Sequence, residues 1–423
     1  MIRDGTCSIA TVVVQHAEDA VALRNTRSVL VRAPHVKLLH LARHDERIAA
    51  HLDGLVVAGE MGTTLCHEGL ASLSRGSVFA AATLAIQRGD GAIVSKLLAL
   101  AEAEPAACRS GLVSALGWVS PSQLRGLTKD LLGSGSAFRS GVGLASCELH
   151  GVSPDAAVLA LALQDADVAL RAHALRVTGR LGRTDLLARC VDALADDDET
   201  CRLQAACAAL LLGERSRSIG ELKVQATAGC THRSVALAAL LQVLEPRHAR
   251  IVLRALSSDV ADARLLIRGI GIAGDPHFVP WLLAQMEQPA RSRLAGEAFS
   301  LITGLDLAYL DLELRTPPDA GTGPNDDPND DAVALDEDDS LPWPDVTKLR
   351  AWWQTHQREF TAGLRYFMGQ PLSAAHCATV LRTGMQRQRI LAARHLCLLN
   401  PGTPLFNCAA PAWRQQRLLA TQV

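Results

Sequence analysis

Aromatic residues are scarce in this 423-residue chain, at 4% against 48% hydrophobic residues overall, so a core built on rings is excluded. Alanine and leucine, which helices favour, must fill it instead, and helices packed closely on one another are the predicted result. Cysteine pairs of the CxxC kind are missing although there are eleven cysteines. Cys201 and Cys207 fall inside apolar helical patterns, where a free thiol acts as a small hydrophobe, and a reducing, cytoplasmic setting is expected. No run approaches the roughly 18 apolar residues of a membrane span. The opening "MIRDGTCSIATVVVQHAEDA" has Asp4 before a short apolar run and no cleavage site after it, so no membrane association and no leader are expected. A strong excess of one charge is also lacking, with 42 basic and 44 acidic residues, which argues against a dedicated nucleic-acid binder.

That balance conceals a segregation. The stretch "PPDAGTGPNDDPNDDAVALDEDDSLPWPD" (317–345) holds ten acidic residues and no base, and removing it leaves the remainder at about +8. Proline, glycine and like charges cannot bury enough apolar surface to order such a segment, so disorder is expected over 319–340. Docking on the chain's own basic surface, or on a basic partner, is the alternative. Calcium is not expected, because the acid spacing does not match a DxDxDG loop.

What the sequence does contain is a repeat of about 31 residues. "DADVALRAHALRVTGRLGRTDLLARCVDALA" from 165 stacks on "DDETCRLQAACAALLLGERSRS" from 197, aligning Arg171 with Arg202, Ala174 with Ala205 and Gly182 with Gly213. The series continues to Arg233, Arg264 and Arg293, and backwards to Arg139, Arg109 and Arg47, broken at Val78. This length fits two helices and their turns. Asp165 to Asp167, Asp196 to Asp198, Ser136, Thr231 and Pro289 are residue types suited to the start of the second helix, and Gly182, Gly213 and Gly274 to a left-handed cap at its end. Ala174, Ala205, Ala236, Ile267 and Gly296, three residues after each arginine, are predicted to face a neighbouring helix.

With an acid and then an arginine early in the second helix, the units over about 40–305 resemble HEAT repeats of the short bacterial kind also found in phycobilin lyases. That resemblance implies an all-α, right-handed α-solenoid of helical hairpins. "AHLDGL" near the start and "LPWPDVTKLRAWWQTHQREFTAGLRYFMGQPL" and "GMQRQRILAARHLCLLNPGTPLFN" near the end are similar to a bacterial HEAT-like family usually described as uncharacterised. Its genes often lie beside type VI secretion components. The organisation expected is an N-terminal helical segment (1–60), HEAT-like repeats (61–305), an acidic linker (306–345) and a C-terminal helical cap (346–423).

Candidate chemistry is thin. Arg47, Arg109, Arg139, Arg171, Arg202, Arg233, Arg264 and Arg293 form either a structural ladder, with Asp167 and Asp198 four residues before their arginines, or a basic stripe that grips an acidic partner. Arg139 and Arg233 lack an acid at that spacing and are the better candidates for partner contact. His40, His44 and His51 share a helix face, but without HExxH they are read as packing or surface residues. Cys66 with His67 diverge along the chain, and Cys147 with His150 sit in a core helix; neither is a convincing nucleophile pair. "GSGSAFRSG" (133–141) lacks the lysine of a P-loop. Trp353, Phe360 and Phe367, seven apart, are predicted to form the buried face of a helix capping the open end of the array.

The expected function is a non-catalytic scaffold or adaptor with a protein partner, without metal or cofactor, in the setting of type VI secretion. The alternatives are prosthetic-group handling, as the lyase resemblance implies, and nucleic-acid binding through an arginine face.

Overall fold

Alanine, leucine and well-placed caps make most of the described residues helical. In the computed structural model, which describes residues 8–227, 229–315 and 338–421, helices dominate and strand is confined to two short antiparallel pairs among the described residues. The greater part of the 319–340 segment expected to be disordered lies outside the described residues.

The chain divides into two compact units, each described here by itself. The first comprises Met1–Ser218 with Arg382–Gln386 and Asn400–Val423; the second comprises Ile219–Leu381 with Arg387–Leu399.

In the first unit the helix Ala10–Leu30 packs on Leu38–Val57 and on Arg75–Arg88. From there each long helix packs on the next of its kind: Pro105–Trp118, Ala137–His150, Val168–Arg180 and Glu199–Leu211. Asp167, Asp198 and Ser136 cap three of them by accepting from the amides of Leu170, Cys201 and Arg139. Ala174 and Ala205 are fully buried, as the close approach of successive helices requires. The second unit repeats the arrangement with Arg233–Val243, Ala263–Ala273 and Pro289–Thr303, where Ala236 and Ile267 are fully buried and Gly296 is buried. Thr231 is not a cap: His232 precedes the helix, with no side-chain hydrogen bond to the helix start.

The ends of these helices are where the C-terminal part of the chain is used. The last carbonyls of a helix have no intrahelical partner. In the first unit the Gly402 amide donates to Leu211 O (3.3 Å) and the Leu405 amide to Arg180 O (2.7 Å). In the second, the Tyr366 amide donates to Gly274 O (2.7 Å), and Met368 and Gly369 donate to Leu301 O and Ile302 O. This close passage explains why the repeat ends in glycine. Gly182 and Gly274 have positive φ (69° and 67°), and a Cβ on either would lie 2.1 Å from a carbonyl oxygen, that of Gly402 or of Tyr366. Gly182→Ala should therefore cost more than the roughly 1–2 kcal/mol of a left-handed alanine alone, because backbone must also move. Thermal unfolding of the variant checks this, and a loss confined to that range would show that residues 402–403 yield without penalty.

The aromatic segment differs from its expected form. The helix Val346–His356 ends before Phe360, and Phe367 lies in a tight antiparallel pair, Tyr366–Phe367 with Gln370–Pro371, so the seven-residue spacing is not one helix face. Gly363, at φ 87°, reverses the chain in between. The rings gather nonetheless: Trp353 and Tyr366 both pack on Phe360, and Trp352 packs on Phe299 of the last repeat helix.

The two ends of the acidic connector are held to each other. Glu313–Leu314 pairs with Trp343–Pro344. Asp338, buried at 3% exposure, receives both terminal nitrogens of Arg264 at 2.8 Å.

Candidate functional site: an arginine-lined cavity in the first unit

Most of the arginine series is engaged within the protein. Arg139 donates to Glu102 (2.9 Å), and Arg233 holds Asp262 with two nitrogens at 2.5 and 2.6 Å. The two members expected to be free for a partner thus have carboxylates, supplied by other helices or turns and not by the fourth residue before them. Arg171 also departs from that spacing: Asp167 is occupied as the helix cap, and Arg171 reaches forward to Asp196 of the following repeat at 3.0 and 3.1 Å. Arg202 donates to the carbonyls of Asp196 and Asp197. Arg264 is taken by Asp338, and Arg293 stacks on the Trp343 ring at 4.7 Å. The carboxyls of Asp196 and Asp262 are held below their ordinary range by hydrogen bonds from Arg171 and Arg233. Arg47 is exposed.

Arg109 is different. It has no acid or carbonyl in hydrogen-bond contact among the described residues, and it lines a cavity of about 530 Å³ in the first unit. Among the described residues six arginines line that cavity, Arg24, Arg27, Arg32, Arg109, Arg176 and Arg414, together with His173, and no acidic residue does.

Four elements bring these groups together. The helix Ala10–Leu30 supplies Arg24 and Arg27, one turn apart and both nearly buried. Arg27 is neutralised by Asp45, which is fully buried: Nε to Oδ1 is 2.6 Å and Nη2 to Oδ2 is 3.0 Å. Its remaining donors reach the carbonyls of Ala409 and Ala410, each at 3.0 Å. Arg24 has no carboxylate in contact among the described residues. It donates to the hydroxyls of Ser114 (3.0 Å) and Ser28 (2.8 Å), and burial, then the Arg27 and Arg75 guanidiniums, bring it down to about 9.

From the helix Pro105–Trp118 come Arg109, Ser110 and Ser114, with Trp118 packed between Phe79 and Trp413. The helix Val168–Arg180 contributes His173 and Arg176. Arg176 Nη2 donates to His173 Nδ1 at 2.7 Å and lies 3.4 Å from Glu148 Oε2, the same carboxylate that Arg180 meets at 2.5 Å. Although burial pushes Glu148 up, Arg180 and Arg176 hold it below the usual range. Burial, and then Arg176, press His173 down to about 3, so its imidazole is neutral. The last element, Ala412–Ala420, brings Arg414, whose partners are the Leu149 and Val119 carbonyls and which burial lowers to about 10.

Three guanidiniums, those of Arg24, Arg109 and Arg414, therefore face one concave space without a carboxylate. Charges of one sign gathered out of bulk water repel each other and draw in an anion. Of these, the sequence reading picked out only Arg109. Arg24, Arg27, Arg176 and Arg414 were missed, and the available signal was arginine inside otherwise apolar helical windows such as "AVALRNTRSVLVR".

The other sequence candidates lie apart from this cavity or within packing. His44 Nε2 meets Leu23 O (2.8 Å), His40 Nδ1 meets the Lys37 amide (3.3 Å), and His51 meets His16 (3.0 Å). Cys66 and Cys147 are buried, which pushes each thiol up to about 11, and His150 Nε2 is bound to Leu116 O. Among the described residues no helix is long and apolar enough to cross a membrane. Comparison with known proteins adds no name to this geometry, since no family model, curated protein or solved structure matches the chain.

Proposed function

We propose that the chain is a non-catalytic scaffold or adaptor, built as a right-handed α-solenoid of HEAT-like hairpins, that grips an acidic group of a protein partner in the arginine-lined cavity. The observation that carries this reading is the set of Arg24, Arg109 and Arg414 around one space of about 530 Å³ that no acid lines among the described residues. The helix-on-helix succession within each unit supports the solenoid. Six arginines of the series, from Arg139 to Arg293, bind acids, carbonyls or a ring of the protein itself, which leaves recognition to the cavity that Arg109 lines. A concave pocket also suits one protruding acidic group better than the continuous backbone of a nucleic acid, which needs an extended basic track. The resemblance of the terminal motifs makes cytoplasmic type VI secretion components the first partners to test.

Affinity capture with the full chain and with Arg109→Glu provides the test. A protein retained by the native chain should bind at least tenfold more weakly to the variant, since a charge is reversed where none is compensated. Recovery of nucleic acid or of a prosthetic group alone, or a protein held equally by both chains, would sink the reading.

A further inference from the structure

We propose that the group held in the cavity is a phosphate monoester; this rests on the binding reading above and names its ligand chemistry. Charge is the first argument. Arg27 is matched by Asp45, and Arg176 shares Glu148 with Arg180, but Arg24, Arg109 and Arg414 remain without carboxylates. One carboxylate would compensate a single guanidinium. A phosphate monoester carries about −1.5 to −2 at neutral pH and presents three acceptor oxygens.

The donors are the second and independent argument. His173 is 6% exposed, and its Nδ1 accepts from Arg176, so the neutral ring keeps its proton on Nε2. That Nε2 has no hydrogen-bond partner, and neither does the buried Nε of Arg176. Two buried N–H donors without acceptors therefore sit in the wall of an arginine-lined cavity, where a turn of either side chain toward a bound oxyanion would satisfy them. A tetrahedral phosphate accepts from several directions at once, whereas a carboxylate offers two oxygens in one plane. The start of Pro105–Trp118, which has no side-chain cap, lines the same space through Pro105 and Ala106, and the positive end of the helix dipole favours an anion.

A phosphate monoester has two sources, a phosphorylated side chain of the protein partner or a free phosphorylated small molecule, and titration calorimetry separates them. The native chain is titrated at constant ionic strength with inorganic phosphate, with a phosphoserine peptide and with the same peptide bearing glutamate. Phosphate and the phosphopeptide should bind, the glutamate peptide at least tenfold more weakly than the phosphopeptide, and Arg109→Ala should weaken the phosphate ligands at least tenfold while the far-UV circular dichroism stays unchanged. Tighter binding of the phosphopeptide than of inorganic phosphate supports the inference with a protein source; equal binding supports it with a small-molecule source. Binding of the glutamate peptide without the phosphate ligands overturns the phosphate inference and leaves the acidic-partner reading standing. Failure of all three, or phosphate binding that Arg109→Ala does not weaken, also overturns it, while the capture experiment still decides the scaffold reading.

Discussion

Asp45→Asn should destabilise the first unit by about 3–5 kcal/mol, the range for removing one partner of a buried ion pair. Asp45 is fully buried, and both its oxygens are committed: Oδ1 to Arg27 Nε, and Oδ2 to Arg27 Nη2 and to the Ala412 amide at 2.8 Å. Asparagine keeps the size but removes the charge and turns one oxygen into a donor aimed at a guanidinium. Arg27 would then add a further uncompensated charge to a wall that already carries Arg24 and Arg414. Equilibrium urea unfolding measures the loss. The double variant Asp45→Asn with Arg27→Met should recover part of it, because an apolar replacement no longer leaves a buried charge unmatched. An unchanged midpoint in the single variant would show that the pair contributes nothing.

Arg365→Met should cost the second unit about 3 kcal/mol, through carbonyls left unsatisfied in the interior. The guanidinium lies across the C-terminal ends of two repeat helices. It donates to Leu241 O (2.7 Å), Leu244 O (2.5 Å), Gln242 O and Ala273 O (3.1 Å). No carboxylate is in that set; the negative ends of the helix dipoles serve in its place. Burial presses the group down to about 10, so desolvation offsets part of what the four acceptors contribute. Amide hydrogen exchange over 233–274 should accelerate in the variant. Arg365→Lys should restore some protection, because an ammonium still donates three hydrogen bonds. Exchange that stays at the native rate would remove Arg365 from any structural role.

Local signals in the sequence were legible, and long-range ones were not. Asp167, Asp198, Ser136 and the glycines at 182, 213 and 274 mark helix starts and ends because capping is decided within a few residues. Pairing of the arginines was misplaced because the carboxylates that reach them come from adjoining turns, as Asp196 reaches Arg171 and Asp262 reaches Arg233. A fixed-period alignment shows that a position recurs, not what stands opposite it. The cavity escaped notice for the same reason: Arg24, Arg109, Arg176 and Arg414 belong to four helices far apart in the chain. Trp353 and Phe360 do meet, but Phe367 does not join them: after the reversal at Gly363 it is Tyr366 that packs on Phe360, while Phe367 packs on His376 and His395.

The passage of the C-terminal segment over early helices also bears on how the protein is made. Arg27 finds two of its acceptors in Ala409 and Ala410, 382 and 383 residues downstream. At about 5–20 residues per second, those carbonyls leave the ribosome roughly 20–80 s after Arg27 does. During that interval the first helices can pair and stack, but their buried guanidinium lacks half its partners and the surface that Ala412 will cover stays open. Completion of the first unit is thus a late event of synthesis, and the nascent chain is where holdases or misassembly would act.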